Sequence, residues 1–142
     1  MTQYKSWDLN LSTMPCGNGS GKGCQMGTMK KMASDMGGFA PDTLQAINEL
    51  DPDFMETVHN LDRIMVTDGA LDKKTKRLMA LSCVIVRMCE DCVYPQAKVA
   101  KNFGATKAEI LEAVNVAVLT GGMPCWSTAK KGIAKLFSEW ED

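Results

Sequence analysis

Between Leu78 and Val86 the chain reads Leu-Met-Ala-Leu-Ser-Cys-Val-Ile-Val, apolar at nearly every position with only Ser82 interrupting. A helix of this composition has no polar face to offer water, so it belongs in a protein core or in a subunit interface. We read a helix over residues 72–88 and expect it to be covered on all sides, which predicts oligomerisation. Around it, from Pro41 onward, apolar residues keep a helical period, and the alternation that marks strands between turn residues is absent. The expectation is therefore an all-α fold.

Boundary signals divide residues 41–142 into about six helices packed as a compact bundle. Asp42 is placed to cap a helix through residue 50. Asp51-Pro52 opens a second helix through about residue 67, where Asp68-Gly69 stops it. Pro95 has no N–H and fits only a first turn, so the fourth helix is expected to begin close to Cys92 and to run to Gly104. Thr106 with Glu109 has capping-box spacing for a fifth helix, and Gly121-Gly122 separates it from a last one ending near Trp140.

Residues 1–40 differ in composition. They hold seven of the twelve glycines and six of the eleven methionines, with little apolar periodicity, and are read as a mobile or draped arm. At 142 residues and 45% hydrophobic composition the chain can bury one core without disulfide staples. Sixteen basic against seventeen acidic residues leave a formal charge of -1, so no global field draws it to nucleic acid or anionic lipid. No export-type apolar segment opens the sequence and no 18-residue uncharged apolar run occurs in it, from which we expect a soluble, cytoplasmic protein.

In a reducing compartment the six cysteines read as catalytic, metal-binding or simply buried thiols. Cys89-Glu90-Asp91-Cys92 carries most of the chemistry. Two thiols three positions apart at a helix start meet the positive end of the macrodipole and free N–H groups, both of which favour the thiolate. Attack on peroxide gives a sulfenic acid and attack on a disulfide gives a mixed disulfide, and the second cysteine resolves either one. A structural metal site is the competing reading, and neither calls for an organic cofactor. Glu90 and Asp91 oppose thiolate formation. Tyr94 is placed to donate a hydrogen bond to a sulfur or a substrate, or to face solvent.

A second pair, Cys16 and Cys24, flanks a glycine-rich stretch that fails as a phosphate loop, with Cys at 16 where Gly is required and Gly at 23 where Ser or Thr is required. The pair could close on itself, hold a metal or act as a second redox step. Its seven-residue gap is long for zinc. Cys83, inside the apolar run, is expected to be an inert small hydrophobe, and Cys125 to serve mainly in packing. The lone histidine, His59, is read as a helix residue rather than a general base.

Several segments, taken together, resemble the carboxymuconolactone decarboxylase-like family that includes alkyl hydroperoxidase D. They are Leu50-Asp51-Pro52-Asp53-Phe54, Asp68 through Lys76, the cysteine pair, Gly104-Ala105-Thr106-Lys107-Ala108-Glu109-Ile110 and Gly121-Gly122-Met123-Pro124. The resemblance implies an all-α, alkyl hydroperoxidase D-like fold assembled as a homo-oligomer, a trimer or a hexamer. It also implies peroxide or disulfide substrates, with Cys92 as nucleophile and Cys89 as resolver. The hydroperoxidase branch has a glutamate twelve residues before the first cysteine and a histidine four after the second, which relay protons; here those positions hold Arg77 and Gln96. Arginine cannot accept a proton at ordinary pH, and glutamine can only hydrogen-bond. That favours thiol–disulfide exchange over peroxide reduction. A non-catalytic metal-binding or assembly protein of the same fold is the alternative. A lactone-acid decarboxylase is a further one, for which no converging set of His and Arg is visible.

Overall fold

The computed structural model describes the backbone of residues 22–140 and the side chains of residues 27–140. Among these there are seven helices and no strands: α1 (Lys22–Asp35), α2 (Asp42–Leu50), α3 (Pro52–Val66), α4 (Lys73–Val86), α5 (Glu90–Asn102), α6 (Lys107–Gly121) and α7 (Pro124–Ser138). The fold is all-α, as expected. Among the described residues no helix is long and apolar enough to cross a membrane.

Most boundaries follow from the capping chemistry. Asp51 accepts from the Phe54 N–H with Pro52 behind it, and Asp72 accepts from the Thr75 N–H. Thr106 and Glu109 form the reciprocal capping box. Gly104, just past α5, takes a φ of +88°, a left-handed conformation that costs glycine little. Two boundaries differ from expectation. Asp42 is the first residue inside α2 and Pro41 is the N-cap, without a side-chain cap bond. α5 begins at Glu90 with Cys89 as N-cap, so Pro95 lies one turn deeper than its missing N–H suggested. The first-turn bond from the Cys92 N–H to the Cys89 carbonyl, 3.1 Å, starts the helix ahead of the proline.

The bundle proper is α4 to α7. Leu81, Ile85, Val93, Ala97, Ala100, Ile110, Val114, Ala117, Ala129 and Leu136 fill its centre with no exposed surface. Small residues let the helices close in. At Gly132 of α7 an added Cβ would lie 2.8 Å from the Tyr94 nitrogen and 2.9 Å from the Val93 Cβ, so α7 rests directly on the first turns of α5. A second cluster lies beside the bundle, where Met32, Met36, Leu44 and Met55 of the α1–α3 layer bury against Val99 of α5. The arm expected over 1–40 thus contains a helix, α1, whose Met32 is buried, as is Met36 just past its end. The Met29, Met32, Met36 spacing that lays one face of α1 on its neighbours is a helical one.

The apolar run of α4 is not covered all round within one chain. Leu81 and Ile85 are buried, but Met79 and Val86 are 53% and 38% exposed and Cys83 is exposed with them. Cys83 is therefore not the buried hydrophobe expected. The adjoining α6 adds Val116 and Leu119, and Met123 follows it, so an apolar face continues across both helices. Ser82, the one polar residue of the run, sits in the seam, where its hydroxyl donates to the Ala113 carbonyl at 2.7 Å.

Candidate functional site

The cysteine pair is positioned by the junction of α4 and α5. Met88 has a φ of +58°, and its N–H donates to the Ile85 carbonyl while the Cys89 N–H donates to the Val84 carbonyl at 3.0 Å. This paired closure usually falls to glycine, and here methionine occupies the left-handed position. Cys89 consequently ends one helix and caps the next. One turn on, Cys92 lies in the first turn of α5, and the two cysteines form a disulfide with Cα atoms 5.3 Å apart. Both are half-buried.

Charges around the pair are partly compensated. Glu90 accepts from Lys131 of α7 at 2.8 Å, a contact that raises the lysine pKa. One of the two carboxylates expected to oppose a thiolate thus carries its own counter-ion, while Asp91 stays exposed. The Thr128 hydroxyl of α7 donates to the Met88 sulfur at 3.2 Å.

Arg77 of α4 and Gln96 of α5 are hydrogen-bonded to each other. Arg77 is 4% exposed, and its Nη1 donates to Gln96 Oε1 at 3.2 Å. Its Nη2 donates to both carboxylate oxygens of Asp62 on α3, at 2.8 and 2.9 Å. Arg77 Nε is buried without a hydrogen-bond partner. Burial pushes the Asp62 pKa up, and the attraction of the Arg77 guanidinium opposes that rise. Asp62 is the residue sequence reasoning missed. The signal was available: on α3 the inward stripe of Met55, Val58 and Val66 is interrupted by a carboxylate at 62, and on α4 the stripe of Leu81 and Ile85 begins with a cation at 77. Two opposite charges on two core-facing stripes have to find each other.

The other candidates fall elsewhere. Tyr94 donates its hydroxyl to Glu139 at 2.6 Å, under Lys135, whose Nζ is 4.1 Å from the ring centre. Desolvation, with Glu139 as acceptor, pushes its pKa up to about 12, so the phenol is committed to the end of the bundle rather than to the sulfurs. His59 meets Asp35 of α1 at 3.3 Å. Cys125 is buried, as expected of a packing residue. Cys16 and the side chain of Cys24 lie outside the described residues, so the second pair has no structural account. Among the described residues no group of three or more His, Cys, Asp or Glu is arranged to hold a metal.

The fold and site together define a class: an all-α protein carrying a paired-cysteine motif at the N-terminus of a core helix, with a part-buried ion pair tying α3 to α4. The chain belongs to the carboxymuconolactone decarboxylase family, whose pattern it matches over residues 52–134. It is 34% identical over 99 residues to an uncharacterized protein of Methanocaldococcus jannaschii, an alignment covering 69% of this chain and 95% of that one. A second uncharacterized protein of that organism is 31% identical over 102 residues, covering 71% of this chain and 95% of its own. Among solved structures, the apo form of a carboxymuconolactone decarboxylase family protein from Legionella pneumophila is similar with a TM-score of 0.61 at 26% identity. That match covers 84% of this chain and 98% of the other. A protein from Burkholderia xenovorans LB400 bearing the name carboxymuconolactone decarboxylase shares the fold, with a TM-score of 0.67 at 18% identity over 82% of this chain and 93% of that one.

Proposed function

We propose that the protein is a cytoplasmic thiol–disulfide oxidoreductase that cycles Cys89 and Cys92 between dithiol and disulfide. The observation that carries this is the Cys89–Cys92 disulfide at the N-terminus of α5. A thiolate there is favoured by the helix dipole and by first-turn N–H groups that have no intrahelical acceptor. The Cys92 thiolate attacks a substrate disulfide and releases one substrate thiolate. Cys89, as thiolate, then attacks the mixed disulfide, releasing the second and closing the Cys89–Cys92 bond. A dithiol donor returns the pair to its reduced state. Peroxide is the second substrate class: its O–O bond breaks as Cys92 becomes a sulfenic acid, and attack by Cys89 expels water. Disulfides fit this site better, because exchange needs no proton-accepting partner at positions 77 and 96. Decarboxylation of a lactone acid finds less support, since the one buried guanidinium is already held by Asp62 and Gln96.

The same reading makes the working form a homo-oligomer, a trimer or a hexamer, joined through the apolar face of α4 and α6. Turnover of a small disulfide and of hydrogen peroxide with a dithiol donor, in the intact chain and in Cys89→Ser and Cys92→Ser, tests the proposal. Loss of turnover in both variants is expected. Unchanged turnover in both would leave the pair a structural feature and the oxidoreductase reading without its central residues.

A further inference from the structure

Among the described residues Met88 is the one non-glycine with a positive φ, at +58°, and it is 46% exposed. A side chain in the left-handed region is disfavoured, so the surrounding structure has to hold it there. The closure bonds to the Ile85 and Val84 carbonyls do part of this from within the chain segment itself. A further tie comes from another helix: the Met88 sulfur accepts from the Thr128 hydroxyl of α7 at 3.2 Å. The same hydroxyl stands 3.3 Å from the Pro124 carbonyl. A hydroxyl carries one proton, so Thr128 has two acceptors and satisfies one at a time.

A thioether sulfur has two lone pairs, and a peroxide can take either one to give a sulfoxide that is chiral at sulfur. In Met88 one lone pair is engaged by Thr128, and exposure leaves the other to solvent. We propose that Met88 is a peroxide-sensitive modification site, that Thr128 makes one sulfoxide epimer predominate, and that oxidation releases the α4–α5 junction from α7. In this step the free lone pair attacks one oxygen of hydrogen peroxide, and the O–O bond breaks as the S–O bond forms. The proton of the attacked oxygen passes to the departing hydroxide, which leaves as water. Sulfur is oxidised by two electrons and the peroxide is reduced by two. The new oxygen lies on the side away from Thr128, and the sulfur, now partly positive, no longer accepts a hydrogen bond. Thr128 then gives its proton to Pro124 within its own helix. Met79 and Met123 are more exposed, at 53% and 69%, and are open to the same oxidant. The tether, not the rate of oxidation, sets Met88 apart. Because sulfoxide reductases each act on one epimer, the partner that restores Met88 is a reductase of a single epimer class.

The test treats the protein, with Cys89 and Cys92 in their disulfide, with limiting hydrogen peroxide. After digestion the Met88 sulfoxide peptide is incubated separately with a reductase specific for each epimer. One epimer is expected in roughly threefold excess or more, about what a hydrogen bond of modest net strength imposes. Thr128→Val keeps the shape without the hydroxyl and is expected to bring the epimers close to equality, while Thr128→Ser restores the excess. Equal epimers in the unchanged protein, or an excess that survives in Thr128→Val, overturns the role of Thr128. Release is read by amide hydrogen exchange over the α4–α5 junction. Exchange is expected to rise severalfold on oxidation, to be raised already in Thr128→Val, and to ignore peroxide in Met88→Leu. Exchange unmoved by oxidation, or moved equally in Met88→Leu, overturns the release. Neither measurement calls on turnover of the cysteine pair, so the outcome stands apart from the oxidoreductase reading.

Discussion

The bundle of α4–α7 and the layer of α1–α3 are both apolar inside, yet they are built from different material. The bundle is filled by branched aliphatics and alanines, whose few rotamers and compact shapes specify one packing. The layer relies on Met32, Met36 and Met55, with Leu44 and Val99, and thioethers fill irregular gaps without dictating them. It compensates with polar ties. His59 meets Asp35, the Asn102 side chain donates to the Met36 carbonyl at 2.8 Å, and Asp62 holds Arg77. The difference teaches that one region is held by shape and the other by a few directed contacts, of which the Asp62–Arg77 pair joins the two.

The largest effect is expected where they meet. Asp62→Ala leaves Arg77 as a buried cation without its counter-ion and should cost about 4 kcal/mol in denaturant unfolding. Replacing both at once, Asp62→Leu with Arg77→Met, should recover most of that loss, because an apolar pair of similar volume is often as stable as a buried ion pair. Next, Leu81→Ala should cost about 3 kcal/mol and lower protection from hydrogen exchange throughout the bundle. Met32→Ala should cost about 2 kcal/mol and raise exchange chiefly in α1, leaving α5 protected. Equal spreading of the two effects would contradict the division into two regions.

The smallest effect concerns pH and has opposite sign in the two regions. Glu109, in the bundle, is bonded by Lys74, by the Thr106 N–H and by the Thr106 hydroxyl, which hold its pKa down to about 2. Its contribution is present above the ordinary carboxylate value and is lost as pH falls through about 2. Asp62, in the layer, has its pKa raised by burial against the pull of Arg77, so ionising it costs more in the folded protein than in the unfolded chain, and that cost sets in as pH rises through the folded value. Thermal unfolding of Glu109→Gln against the unchanged chain should show a gap at neutral pH that narrows toward pH 2, the value at which Glu109 itself protonates.

Much of the bundle was legible in the sequence because its signals are local. Asp72, the Thr106–Glu109 box and Gly104 act within a turn of where they stand. Much of the layer was not. Three methionines at helical spacing in a glycine-rich stretch look incidental until α3 and α5 are beside them to receive them. The start of α5 was displaced because Pro95 was weighed by its own missing N–H, whereas the closure at Met88 and Cys89 sets the helix origin from the preceding helix. At the site, Arg77 and Gln96 were visible as departures from a family pattern. Asp62, fifteen residues before Arg77, was passed over, because its signal is a carboxylate on the inward stripe of α3 and not a spacing relative to the cysteine pair.

The junction at Cys89 also bears on how this gene can lengthen or shorten. One residue both closes α4 and opens α5, so no spare loop separates the apolar stripe of α4 from the sulfurs. An inserted residue at this point would turn α5 by roughly 100° relative to α4, since a helix completes a turn in about 3.6 residues. Cys92 and Gln96 would swing together away from Arg77 of α4 while the composition barely changed. Substitutions can be absorbed around the pair, but the count of residues from Arg77 to Gln96 is held fixed by the geometry.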